Sequence, residues 1–135
     1  MSRPTAVLLM AHGSRRASAN NDLAALAALL RERQIYPIVE IRFLELAEPS
    51  IPEGGRRCVD HGAGHVKMLP YFLSAGTHVV SDLEEFRQQL ASQFPDVTFE
   101  LCPHLGLHPL MIEIVLDRLR GEPVGSLSSS GLASQ

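Results

Sequence analysis

The sequence predicts a doubly wound α/β three-layer sandwich: a four-stranded parallel sheet, order 2-1-3-4, with helices on both faces and right-handed crossovers. Three observations carry this. Residues 6–11, "AVLLMA", form a continuous apolar run, the pattern of a strand covered on both sides. Leu23, Leu26, Ala27 and Leu30 fall at i, i+3, i+4 and i+7, one apolar helix face. Strand-like and helix-like segments then alternate along the chain until a glycine- and serine-rich tail.

Taken in order, residues 6–11 are the first strand and residues 19–33 the first helix. Residues 38–44, "IVEIRFL", mix β-branched and aromatic side chains and stop at "AEPS", so they read as the second strand. Ser50 and Glu53 have capping-box spacing and predict a helix start. Gly54 and Gly55 in its first turns cost about 1 kcal/mol each relative to alanine, which predicts a weak helix. The glycines of "HGAG" suit a left-handed C-terminal cap. Residues 65–73, "HVKMLPYFL", supply the third strand, with Pro70 near its end, where a missing ladder donor does least harm. After a polar bend, "SAGTH", the spacing of Leu83, Phe86, Leu90 and Phe94 predicts a helix over 81–94, with Ser81 or Asp82 near its start. Residues 97–102, "VTFELC", are the fourth strand. The loop "PHLGLHP" leads to a last helix over 110–120, apolar on more than one side and therefore suited to packing on a second surface.

The 135 residues suffice for one domain with its own core, expected over 1–121, followed by a disordered tail over 122–135. The composition, 45% hydrophobic and 20% charged, excludes a disordered chain and a membrane span. A net charge of −3 gives no general affinity for nucleic acid, so any anionic ligand must be held locally. Cys58 and Cys102 form no closely spaced ligand set and read as buried thiols. The first apolar run is too short for a secretory signal, so a cytoplasmic location is expected.

In a doubly wound sheet, ligands bind beyond the carboxyl ends of the strands, where strand order reverses; for order 2-1-3-4 that point lies between the first and third strands. His12 closes the first strand, Glu45 follows the second, His78 sits in the loop after the third, and His104 lies just past the fourth. The strand order makes the His12 and His78 loops neighbours across the crevice. Imidazole ligates divalent transition metals and accepts protons near neutral pH, so the pair can hold a metal or relay protons. Glu45 can orient a ring or carry protons away. Gly13 permits a sharp turn, while Ser14, Arg15 and the following helix N-terminus offer donors to carboxylates or phosphates.

Other polar residues read as structural. His61 and His65 flank a glycine turn, although Cys58 and His61 share a helix face. Pro103, Gly106 and Pro109 prevent His104 and His108 from forming a metal pair on one helix. Arg56 and Arg57 read as a solvated helix face.

The ordered motifs "LLMAHGSR", "FLELAEPS", "HVKMLPYFLSAGTHVVSDL" and "CPHLGLHPLMIEIVLDRL" together resemble the small sirohydrochlorin cobaltochelatase/ferrochelatase family, the ATP-independent class II tetrapyrrole chelatases. The resemblance covers residues 5–120. Its specificity lies in the succession of A-H-G-S-R, P-x-F-L-x-x-G-x-H and L-G-x-H-P. It implies insertion of Co²⁺ or Fe²⁺, with Ni²⁺ a third acceptable ion, into a metal-free tetrapyrrole such as sirohydrochlorin for cobalamin or siroheme synthesis. It also implies no permanently bound cofactor.

Within that resemblance His12 and His78 are the metal pair and catalytic residues, and Glu45 an accessory catalytic carboxylate. Gly13, Ser14, Arg15 and Thr77 are expected to meet the substrate. Small members of the family pair as homodimers, and Ile112, Val115, Leu116 and Leu119 of the last helix suit such a contact. Two other functions compete: a non-catalytic metal or tetrapyrrole carrier on the same fold, and a histidine phosphatase. The phosphatase matches poorly, because it requires an arginine directly before the nucleophilic histidine, where this chain has Ala11.

Overall fold

The computed structural model describes residues 3–13, 17–44 and 50–122. Elements run in the order β1 (Thr5–Ala11), α1 (Ala17–Glu32), β2 (Ile38–Phe43), α2 (Ile51–Asp60), β3 (His65–Pro70), α3 (Thr77–Gln93), β4 (Thr98–Leu101) and α4 (Pro109–Arg120). All strand pairings are parallel and the order is β2-β1-β3-β4, as the sequence predicts. The expected tail lies outside the described residues, apart from Glu122.

Alternation along β1 divides the core into two layers. Val7 and Leu9 face α1, packing with Leu23, Ala27 and Val39. Ala6, Leu8 and Met10 face the other way, against Ile51 and Cys58 of α2 and Leu83 and Leu90 of α3. Leu8, Leu9 and Met10 are wholly buried. Each such side chain contributes roughly 1.5–3 kcal/mol of apolar burial, which fixes β1 as the middle of the molecule.

The "weak" second helix is corrected by its packing. Ser50 caps it, its Oγ accepting from the Glu53 N–H at 3.4 Å, and Pro52 occupies the first turn. Gly54 and Gly55 are buried contact points: a Cβ on Gly54 would collide with the Arg42 stem and stand 2.8 Å from Leu8 Cδ1, and one on Gly55 would stand 2.5 Å from Leu90 Cδ1. The glycines let α2 approach β1, β2 and α3 closely, and that packing outweighs their low helix propensity. Arg42 then clamps the first turn. Its Nε and NH2 groups reach Glu53 Oε2 at 3.0 and 2.9 Å, and its NH1 group donates to Glu40 Oε1 at 3.2 Å and the Ile41 carbonyl at 2.7 Å. Gly62, at φ +99°, ends α2 as the left-handed cap that "HGAG" predicts.

One further expectation changes, at the start of α3, and two features of the packing add to the sequence reading. First, α3 begins at Thr77, not near Ser81, from an extended Gly76 that provides no side-chain cap. Thr77, Val79 and Val80 are β-branched and give a poor helix signal; Val79 packing on the core overrides it. Second, the α1-side core is built on β1 and β2, with Leu69 of β3 at its margin. On the β3–β4 half, His65 and Lys67 register with Thr98 and Glu100, and the His65 Nε2–H donates to Glu100 Oε1 at 2.9 Å. Third, α4 has no buried residue: Leu110, Ile112, Ile114, Val115, Leu116 and Leu119 are all exposed.

Two predictions follow from this packing. Gly54→Ala gains helix propensity but overpacks the Arg42–Leu8 contact, for a net loss of about 1–2 kcal/mol. Urea denaturation should show a lower midpoint at unchanged slope; a raised midpoint would refute the close-approach role. Burial, reinforced by the Glu40 carboxylate, pushes the Cys58 thiol up to about 12. Cys102 is half-buried and raised mainly by desolvation. Iodoacetamide at pH 8 should therefore label Cys102 slowly and Cys58 only after denaturation, as read by peptide mass spectrometry.

Candidate functional site at the carboxyl edge

Hydrogen bonds carry the ladder past the strand ends and build the edge. Leu44 N donates to the Ala11 carbonyl at 2.9 Å, Tyr71 N to the Met10 carbonyl at 2.7 Å, and Cys102 N to the Met68 carbonyl at 2.8 Å. The period-2 alternation persists with them. Ala11 and Tyr71 lie on the α1 side, whereas Phe72 belongs to the core between the sheet and the α2–α3 layer.

His12 leaves β1 on that second side. Its exposed imidazole stacks on buried Phe72, with centroids 4.3 Å apart and planes inclined by 27°. Gly13 follows at φ +94°, the left-handed turn expected of glycine there. His78 is corrected from a loop residue to an exposed residue of the first turn of α3, beside exposed Thr77. α3 packs on the same side of the sheet as Phe72, so His12, just past β1, and His78, in the helix that follows β3, lie on the same side of the sheet. Ser14, Arg15 and Glu45 lie outside the described residues.

The opening of α3 has a further chemical property. Its first turn carries no acidic residue, and its N-cap makes no side-chain hydrogen bond. Helix-start N–H groups at such a position favour an anion by both hydrogen bonding and the helix dipole. A carboxylate-bearing ligand lying over His78 is therefore electrostatically compatible with this end of the fold.

A second set of residues was invisible to spacing alone. On the α1 side, Ala11, Gly13, Asn20, Asp22, Leu23, Phe43 and Tyr71 line a notch of about 350 Å³. The aromatic pair after Pro70 was the available signal: consecutive residues continuing a strand point to opposite sides, so "YF" must flank the edge. Past β4, Leu105 N donates to the Phe72 carbonyl at 3.1 Å, bringing the fourth loop to the same place. Half-buried His104 packs over Gly106, whose φ is +52° and whose Cβ, if present, would stand 3.1 Å from His104 Nε2.

The remaining histidines take structural roles, as expected. His61 forms the C-cap of α2, His65 pairs with Glu100, and His108 caps α4, its Nδ1 accepting from Leu110 N at 3.1 Å. Arg56 and Arg57 are exposed on α2. Among the described residues, no three His, Cys, Asp or Glu side chains converge as a metal cage. No helix among the described residues is long and apolar enough to cross a membrane.

Known proteins are similar to this chain in sequence and in fold. The family model described as CbiX matches residues 6–122. The chain is 35% identical over 114 residues to the chloroplastic sirohydrochlorin ferrochelatase of Arabidopsis thaliana, covering 84% of this chain and 51% of that protein. It is 38% identical over 114 residues to the sirohydrochlorin cobaltochelatase of Priestia megaterium, covering 84% and 37%. The chain thus spans about half or less of these curated relatives. Among solved structures, the sirohydrochlorin chelatase SirB from Bacillus subtilis subspecies spizizenii in complex with cobalt superposes with a TM-score of 0.77 at 28% identity, covering 99% of this chain and 61% of that one. With an α/β sheet of order 2-1-3-4 and a family model that accounts for residues 6–122, the chain belongs to the CbiX family.

Proposed function

We propose that the protein inserts a divalent metal ion, Co²⁺ or Fe²⁺, into sirohydrochlorin without using ATP. The observation that supports this best is the placement of His12 and His78 on the same side of the sheet. The names of the relatives, ferrochelatase and cobaltochelatase, supply the substrate class.

In this mechanism the ion is a substrate, held by His12 and His78 at the edge while the macrocycle lies across it. Insertion exchanges two pyrrole N–H protons for one M²⁺. Charge balances when both protons leave, and each imidazole can accept one only once it has released the ion, so the two histidines either hold the metal or take up the displaced protons. Glu45 passes protons to solvent. Gly13, Ser14, Arg15 and Thr77 meet the macrocycle's carboxylates, with Arg15 suited to a bidentate pair and the α3 amides adding donors. Free thiols at Cys58 and Cys102 suit the reducing cytoplasm, which we take as the compartment.

We further propose that α4 docks on α4 of a second copy. Two sheet edges then enclose the macrocycle, and one chain supplies half of the cleft. Leu110 and Leu119 are 66% and 76% exposed on a helix whose Glu113, Asp117 and Arg120 share one face, with Arg118 beside it. Such a surface suits a homodimer contact.

Anaerobic incubation with sirohydrochlorin and Co²⁺ or Fe²⁺, followed by absorbance, tests the activity. Wild type should turn over many times per site; His12→Ala and His78→Ala should each lose about 10²–10⁴-fold. Activity should be lower in acid than at neutral pH, because ligation and proton uptake both need a neutral ring. Wild type no faster than buffer would end the reading, and a yield stopping at one product per site would mark a carrier. Sedimentation should give a dimer that Leu116→Glu converts to a folded monomer; wild type sedimenting only as a monomer would remove the α4 contact.

A further inference from the structure

We infer that Phe72 is a positioning residue for His12, holding its imidazole on the side of the sheet edge where His78 emerges. The inference rests on the proposed metal-insertion reading. It deepens that reading by naming what orients one of its two ligands.

The geometry has three parts. His12 is the first residue beyond β1, is exposed, and precedes a glycine in a left-handed turn, so its backbone alone does little to fix the ring. Phe72 is only 4% exposed and is held in place on several sides. Its side chain sits in the core cluster with Met10, Met68 and Leu83, and its carbonyl accepts from Leu105 N at 3.1 Å. The preceding residue, Tyr71, is tied to the Met10 carbonyl at 2.7 Å. A buried ring thus underlies an exposed one. At 4.3 Å between centroids and 27° between planes, the stack covers one face of the imidazole and leaves its in-plane nitrogens uncovered by Phe72. Those in-plane lone pairs are what a metal needs.

The same apolar cluster also carries the start of α3. Val79, the residue after His78, packs against it. Phe72 therefore belongs to the one piece of core that supports both histidines: directly under His12, and within the cluster that seats the first turn bearing His78. Aromatic pairs of this kind are worth enough to change a ligand's affinity by roughly two- to tenfold through ordering alone.

The test reads metal binding and ring geometry separately from turnover. In the wild-type proton NMR spectrum, the His12 ring protons, assigned with His12→Asn, should be shifted upfield by the Phe72 ring current relative to those of exposed His61. Phe72→Met conserves volume without the ring. It should remove the shift, weaken Co²⁺ binding to the metal-free protein by roughly two- to tenfold, and lower kcat more than it raises KM. Phe72→Tyr should restore both shift and affinity. An unshifted His12 in wild type, or Phe72→Met that binds Co²⁺ as wild type does, would overturn the inference. The wild-type spectrum decides even if Phe72→Met does not fold. If wild type shows no turnover while shift and affinity respond as expected, the metal-insertion reading fails and the positioning role stands.

Discussion

The burial of β1 on both faces is the constraint from which the rest follows. With Val7 and Leu9 committed to one layer and Leu8 and Met10 to the other, the register of β1 cannot slip by one residue without turning two cores inside out. That commitment extends beyond the hydrogen-bonded strand. It sends Ala11 toward α1 and His12 toward α2 and α3, so the chemistry at the edge inherits its handedness from methyl groups well below it.

Neighbouring elements are fitted to that strand with little tolerance. Gly54 and Gly55 bring α2 within contact of Leu8 and Leu90, and Arg42 fills the space left by the first glycine while pairing with Glu53 and Glu40. An almost buried guanidinium needs such partners, because an unpaired one would carry a large desolvation cost. The first turn of α2 is consequently fixed by ions on its sheet side and by the Ser50 cap at its end.

Strand identity, strand order and the two-layer core were legible in the sequence because apolar runs and helical spacing report burial directly. Helix starts were less so. At α3 the decisive contact, Val79 on the core, is tertiary, while the local signals at Gly76 and Thr77 point away from a helix. The glycine pair misled for the same reason: propensity counts the entropy of a glycine and is blind to a neighbour that needs its missing side chain. Of the candidate site, His12, Gly13, Thr77 and His78 were legible as residues that follow strands. Their support was not, since the Phe72 stack and the Leu105–Phe72 hydrogen bond join segments far apart in the chain.

The β3–β4 half of the α1-side face has a different meaning from the rest of the sheet. Thr98 and Glu100 are exposed on β4, which is four residues long and forms one edge of the sheet, and Glu100 is held by His65. Exposed strand edges offer unpaired amides and carbonyls to any passing chain. A short border strand carrying a carboxylate makes a poor template for another strand. The fold thereby limits fibril-like growth at one margin of a sheet whose middle is among its most apolar sequence.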